Sequence, residues 1–274
     1  YGKSPRAAFN WRAGTLYERL LPQALRTTVA RGVLPHLPRQ LARYANRSFL
    51  AMDRSPEAMF FDNFASIRLA DQQRLLAPEF AAAATRQQAY ASSLSYFNTL
   101  NGSSTLLDRL LYADIKTYLV ELLMKQDQMS MATSIESRVP FLDHKLVEFT
   151  ARMPDAMKLR GGTTKYVLRE SMKGLLPEKI LSRRKMGFPV PIGSWFRGPF
   201  KSIVDEYVMS ERALSRGIFA PEFVRQIVAL HQVGEDHSER LWALVNFEMW
   251  QRRFFDSEAQ PATEPMIEKS LVGV

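Results

Sequence analysis

The sequence predicts an all-α fold, and three observations carry that reading. Apolar residues recur at three- and four-residue spacing in most segments, period-two alternation is almost absent, and capping residues stand where periodic segments begin. There is no internal repeat of the kind that stacks into a solenoid. A helical region is expected over 1–255, followed by a polar, proline-bearing tail over 256–274 that frays.

Each element has a local reason. From Tyr1 to Pro38, Leu16, Leu20, Leu21 and Leu25 fall at helix spacing, and Pro22 starts a new turn or bends the helix. Ser55-Pro56-Glu57 is a strong helix start, with a capping hydroxyl, proline at the first helical position and an acid in the first turn. Phe60, Phe61, Phe64, Ile67 and Leu69 follow as its buried side. Ala77 to Tyr90 reads as a surface helix. The loop Asn101-Gly102-Ser103-Ser104 leads into a helix carrying Leu106, Leu107, Leu110 and Leu111. The apolar run from Leu119 to Met124, with Met129 and Met131, reads as a buried helical face approaching Val139-Pro140, where proline disfavours the α region for the residue before it. A helix restarts at Asp143-His144-Lys145 and stops at Pro154. Arg160 to Thr164 is a flexible turn, and the next helix has Lys165 in its first turns. Pro177 opens a short helix that dissolves at Ser182 into a loop holding Gly187, Pro189, Pro191 and Gly193, the kind of loop that commonly carries a site. Amphipathic helices near 221–233 and 238–253 complete the pattern, the second with Leu241, Trp242, Leu244, Val245, Phe247 and Trp250.

Composition bounds the function. The 274 residues, 46% of them hydrophobic, can bury a full core, and no apolar run is long enough to span a membrane. The first residues, YGKSPRAAFN, have neither an initiator Met nor a signal-peptide core and read as a fragment boundary. Zero cysteines remove disulfides, thiolate metal sites and cysteine nucleophiles together, which suits a cytoplasmic protein. The net charge of +9 comes from 37 Lys and Arg dispersed among 28 acids, without a basic run interleaved with aromatics, so no nucleic-acid partner is expected. His36, His144, His231 and His237 lack metal-ligand spacing, and the last two, flanking a turn, read as surface residues. No metal ligand is assigned in this chain.

The stretch that concentrates chemistry is 127–143, DQMSMATSIESRVPFLD, with YLVELLMKQD running into it. Together with TKYVLRE at 164–170 and SRRKMGFPVPIGSW at 182–195, it resembles the synthetase half of the glutamine-dependent asparagine synthases. That resemblance implies the C-terminal, multi-helix portion of a synthetase domain whose parent is α/β, with a pyrophosphatase-type parallel sheet upstream of Tyr1. It implies ATP-driven adenylation of the aspartate side-chain carboxylate with Mg2+, then displacement of AMP by ammonia drawn from glutamine through a glutaminase domain of the same parent chain. Most magnesium ligands are expected upstream of Tyr1, and a homo-oligomer is compatible with the resemblance. The family's serine-glycine-glycine-x-aspartate-serine loop does not occur in these 274 residues, so the isolated chain is expected to be inactive.

Site residues follow by position. Lys185 matches the family lysine that contacts the phosphates, and its long-stemmed point charge suits that task; three adjacent cations, Arg183, Arg184 and Lys185, are otherwise a solvated basic run. Glu121 stands at a family acid that serves or supports the base handling the amine; Asp127 orients a cation or a substrate ammonium. Six residues apart on a helix, the two point about 240° from one another and are not a carboxylate pair. Glu136 and Arg138 pair with each other or with Asp143 to pin the turn, or bind substrate or ATP; Lys165 and Arg184 are further binding candidates, and Lys165 with Arg169 could reach one anion. Gln128 stands where arginine is common, which leaves room for a different carboxylate substrate, as in the β-lactam synthetases. A helical scaffold without catalysis is the alternative from another class.

Overall fold

The computed structural model describes residues 4–22, 55–83, 86–100, 102, 104–183 and 190–256, with residues 25, 28, 32, 36–38, 41, 45, 48 and 50 between the first two stretches; for residues 4–10, 12, 86 and 87 it describes the backbone alone. Among the described residues the fold is all-α apart from one two-residue-stranded hairpin, as the periodicity requires. The chain divides into two compact units, one formed by 1–69 with 85–188 and the other by 70–84 with 189–274. Among the described residues no helix is long and apolar enough to cross a membrane.

In the first unit, α1 (Ser4–Leu20) stops two residues before Pro22, whose ring excludes the helical conformation from the residue preceding it. Ser55 caps the next turn as expected, its Oγ accepting the Ala58 N–H at 3.1 Å, and Glu57–Phe61 continues as a π-helical turn into the 3-10 turn Asp62–Phe64. Beyond α2 (Leu69–Leu75) and α3 (Pro78–Ala81), which belong almost wholly to the second unit, come α4 (Arg86–Ala89), α5 (Ala91–Thr99) and α6 (Leu106–Lys116). The single surface helix expected over 77–90 is instead two short helices, α3 and α4, with α3 ending in the turn at 82–83. Met59, Phe60, Phe97, Leu110 and Ala113 form the core, with Trp11 stacked on Phe60 at 5.5 Å and Arg109 capping the Phe97 ring at 4.0 Å. The buried Asp62 carboxylate accepts from Tyr90 Oη at 2.6 Å and from the Leu69 amide at 2.7 Å, tying three segments together.

The helix that carries the motif, α7 (Tyr118–Met131), corrects two expectations. It ends eight residues before Val139, because Ser134 turns left-handed at φ 58° and the Ile135 and Ser134 amides return to the carbonyls of Ser130 and Met131. This is a Schellman stop built on serine, and it ends the helix before proline has any part in doing so. No residue of α7 is buried; Tyr118, Val120, Leu122, Met124, Met129 and Met131 all lie exposed, Met129 at 70%. The periodicity marked a face that calls for burial, but the described residues of this chain do not supply the partner. Past a 3-10 turn at Pro140–Leu142, Asp143 caps α8 (His144–Ala151) by accepting the Lys145 and Leu146 amides at 3.0 and 3.2 Å.

After α9 (Asp155–Lys158), the segment read as a flexible turn is a hairpin: β1 (Leu159–Arg160) pairs antiparallel with β2 (Thr163–Thr164) across Gly161 and Gly162, both at positive φ as a tight hairpin turn demands. Lys165 stands as the left-handed residue (φ 54°) before α10 (Tyr166–Ser171) rather than within its first turn. The helix α11 (Glu178–Leu181) follows Pro177 as expected.

The second unit contains α12 (Ile192–Arg197), α13 (Lys201–Tyr207), α14 (Glu211–Leu214), α15 (Pro221–Gln232) and α16 (Ser238–Phe254). Its interior is Leu75, Phe196, Val204, Val208, Phe223, Val224, Ile227, Val228, Leu241, Leu244 and Val245. Paired backbone bonds from Ala77 to Ile218 and from Ala220 to Leu75 anchor the 70–84 segment. His231 and His237, expected at the surface, are buried, at 0% and 6% exposure. Burial is tolerated because most of their polar atoms are engaged: the His237 amide donates to His231 Nδ1 at 3.1 Å and Arg240 donates to His237 Nδ1 at 2.7 Å, while His237 Nε2 makes no hydrogen bond and has the Glu235 carboxylate 3.1 Å away.

Burial, followed by the charge of Arg240, holds His237 below the ordinary histidine value of 6.5, against the smaller opposing pull of Glu235. The unfolded chain therefore binds this proton more readily than the folded one. The stability that neutral His237 contributes is complete above about pH 6.5 and falls as pH drops through that value toward the lower folded one. Thermal unfolding followed from pH 8 to pH 5 will show this loss, and His237→Asn will flatten it; an unchanged slope in the variant would show that the loss does not come from His237.

Candidate functional site

Residues of the first unit converge on a groove along α7. Leu119, Leu122, Leu123 and Gln126 form one side, and the returning segment Arg138-Val139-Pro140-Phe141-Leu142 forms the other, enclosing about 400 Å³. The return is fixed locally. The Ser134 reversal sends the chain back, Gln126 Nε2 donates to Ser137 Oγ at 2.6 Å across the gap, and Pro140 starts the turn that closes it. The groove is apolar along its length, with one amide and one guanidinium at its edge.

Glu136 and Arg138 do pair, at 3.1 Å, whereas Asp143 serves the α8 N-terminus instead. Arg138 is 81% exposed and its partner 68%, so the pair is solvent-screened and holds the guanidinium only loosely. An anion arriving at the groove can take it over at little cost. Glu121, in the first turn of α7, is committed to Lys125 at 2.5 Å, an i,i+4 surface pair. Asp127 is exposed further along the same helix, and its backbone carbonyl accepts from Ser130 Oγ at 3.1 Å. The helical geometry keeps Glu121 and Asp127 on different faces, as their spacing dictates.

Lys165 is exposed at the left-handed corner between the hairpin and α10, a conformation that costs a non-glycine residue on the order of 1 kcal/mol. The shared anion site with Arg169 does not form: Arg169 donates Nε to the Thr164 carbonyl at 3.1 Å and Nη1 to the Leu181 carbonyl, so it braces the hairpin against the end of α11. Arg184 and Lys185 lie outside the described residues. Among the described residues, no three His, Asp or Glu side chains come together as a metal site requires.

Two features went unread in the sequence. One is the buried pair His231 and His237; the signal was present, since His231 lies four residues beyond Ile227 and eight beyond Phe223 on the apolar stripe of α15. The other is the groove itself, for which a return stroke starting at a left-handed serine leaves no pattern.

The family model for asparagine synthase matches residues 8–252. Asparagine synthetase [glutamine-hydrolyzing] 1 of Bacillus subtilis is 33% identical over 169 residues, 59% of this chain and 26% of that protein. Asparagine synthetase [glutamine-hydrolyzing] 3 of the same organism is 41% identical over 81 residues, 30% of this chain and 13% of the relative. Amidase chyE of Penicillium rubens is 32% identical over 97 residues, 33% of this chain and 14% of the relative. The chain thus spans about a quarter or less of the length of each of these curated relatives. No solved structure matches. With a match that runs through the α7 groove, the hairpin and both closing helices, the chain belongs to the asparagine synthase family.

Proposed function

We propose that this chain is the helical part of an ATP-dependent ligase that makes asparagine. In this reading an aspartate side-chain oxygen attacks the α-phosphorus of ATP and releases pyrophosphate; ammonia derived from glutamine then attacks the acyl carbon, and AMP leaves with the C–O bond pair. Lys185 steadies the phosphate charge, Glu121 serves or supports the base that takes the proton from the attacking amine, and Arg138, Asp127, Glu136, Lys165 and Arg184 contribute substrate or nucleotide contacts. Magnesium bound upstream supplies further charge neutralisation when present. The glutaminase domain of a longer parent chain delivers the ammonia, and the setting is cytoplasmic. What supports the reading is the family match over 8–252, which takes in all three motifs at once.

A second carboxylate is favoured by two observations: Gln128 stands where the family resemblance commonly has arginine, and the similarity extends to a protein named an amidase. The experiment is pyrophosphate release with ATP and magnesium by the complete natural chain, with aspartate against a panel of other carboxylic acids. Release that depends on aspartate is expected. Release with another acid would keep the chemistry and replace the substrate, and none with any acid would favour a scaffold that has lost catalysis.

A further inference from the structure

We propose that Arg169 is a positioning residue for Lys165: by bonding the carbonyls on both sides of that lysine it fixes the backbone corner from which the ammonium is presented. The claim rests on the proposed reading of Lys165 as a substrate or nucleotide contact.

The corner is unusual for its residue. Lys165 has φ 54° and ψ 39°, a conformation that glycine and asparagine adopt far more readily than lysine does. Gly161 and Gly162 take the positive φ of the hairpin turn just before it, whereas here the left-handed position carries a charged side chain. That side chain is exposed, and among the described residues no hydrogen bond or ion pair takes its ammonium. Strain at a non-glycine residue persists only where the surroundings over-determine it, and it collects where a side chain has to stand in one place.

Arg169 supplies that over-determination. The φ and ψ of Lys165 are the rotations about its Cα of two rigid peptide planes, one carrying the Thr164 carbonyl and the other its own. Arg169 holds both planes: Nε donates to Thr164 O at 3.1 Å, and the Arg169 amide donates to Lys165 O at 3.0 Å. The amide bond is an ordinary helical one that any residue but proline would make; the Nε bond belongs to this side chain alone. Nη1 donates to the Leu181 carbonyl at the end of α11, which keeps the half-buried guanidinium from swinging off Thr164. Thr164 is held from its other side by pairing with Leu159 in the hairpin, and Tyr166, just past the corner, accepts from Arg160 Nη1 at 3.0 Å through its Oη. All of these residues lie in the first unit.

Two substitutions isolate the Nε bond. Glutamine matches arginine atom for atom as far as Nε, so Arg169→Gln retains a donor for Thr164 O and loses the tie to Leu181; Arg169→Met has the same length and no donor. Both lose the charge and the Leu181 bond, so any general loosening is common to the two. In the complete natural chain, kcat/KM for pyrophosphate release is expected to be about tenfold lower in Arg169→Met than in Arg169→Gln, for whichever of ATP and aspartate Lys165→Ala affects. In a Lys165→Ala background that difference should vanish, which a merely structural role of Arg169 does not predict. Trypsin cleavage after Lys165, read without substrates, should be faster in Arg169→Met than in Arg169→Gln. Where Lys165→Ala impairs release, equal kcat/KM in the two variants, a difference that persists without Lys165, or equal cleavage would overturn the proposal. If the wild type releases no pyrophosphate, or Lys165→Ala leaves release intact, the reading of Lys165 falls, and the cleavage comparison alone then decides whether Arg169 fixes the corner.

Discussion

Replacing Lys185 by alanine in the complete natural chain will lower kcat for pyrophosphate release by roughly a hundred- to a thousandfold, the range found when one preorganised donor to a developing charge is removed. On the proposed reading the change should fall on kcat more than on KM for aspartate, because there the ammonium would meet charge that grows on the phosphates as the bond to the leaving group breaks, and an interaction made chiefly in the transition state appears in kcat. Lys185→Arg is not expected to restore the rate: a planar fork on a different stem does not reproduce a compact point charge. The rival account is electrostatic and diffuse. Arg183, Arg184 and Lys185 are three consecutive cations, and a run of that kind is ordinarily a solvated surface. The two accounts separate on the neighbours. If Lys185 acts at a defined place, Arg183→Ala and Arg184→Ala will each cost far less than Lys185→Ala. If the run acts only through its summed charge, the three losses will be similar and will shrink alike as salt is raised. Three equal, salt-sensitive losses would therefore remove Lys185 from its role.

The same contrast between local pattern and tertiary context decides how much of the molecule its sequence revealed. Elements whose reasons are local were legible: the Ser55 cap, the short helix after Pro177, and α15 and α16, whose bounds fall within a residue or so of those their apolar spacing predicted. Stops that depend on a strained residue were not. Nothing in the composition of Ser134 announces a left-handed turn, so α7 was carried on to Val139. Periodicity also states what a face needs without stating what it gets. The α7 stripe of Leu122, Met129 and Met131 is exposed, while the same kind of stripe in α15 is covered and carries a histidine down into the core with it. Of the candidate site, the chemistry came from three motifs and the placement from the fold. Spacing separated Glu121 from Asp127, but only the backbone reversal brings Arg138 to the lip of a groove, and only the hairpin explains why Arg169 is spent on carbonyls.

Glu248 will prove to be the most expensive single side chain to remove from the second unit. It lies on α16 with its carboxylate only 4% exposed, receives Arg216 through two bonds of 2.6 and 2.9 Å, and receives Arg252 Nε at 2.9 Å from one turn along its own helix. Arg216 also reaches Asp256, which is shared with Arg212, and Arg252 reaches Glu206 at 3.1 Å. Two guanidiniums thus depend on one buried carboxylate. Glu248→Ala removes the buried acceptor the two share and leaves Arg216, beside apolar Val208, Leu244 and Phe247, with Asp256 alone and Arg252 with Glu206. Breaking one side of a buried pair costs about 3–5 kcal/mol, the lower end being expected where second partners remain. Glu248→Gln keeps the volume and loses the charge, so it should recover little. Removing Arg216 as well, as Glu248→Met with Arg216→Met, should restore a large part of the loss, since apolar replacement of both partners relieves the stranded charge. Urea unfolding of the wild type, Glu248→Met, Arg216→Met and the double variant yields the coupling between the two residues. Acid should reproduce the single deletion. Burial pushes the Glu248 carboxyl up, but the bonds from Arg216 and Arg252 outweigh it and hold it below its ordinary 4.5, while Arg216 first and Arg212 after it lower Asp256 to about 2. Depressed carboxylates contribute stability that is complete above their unfolded values and is lost as protons reach them. The wild type should therefore weaken steeply as pH falls from about 4 toward 2, and Glu248→Gln less steeply. A loss under about 1 kcal/mol in Glu248→Ala would place the network among exposed ion pairs that hold nothing together, and the burial of Glu248 would then need another cause.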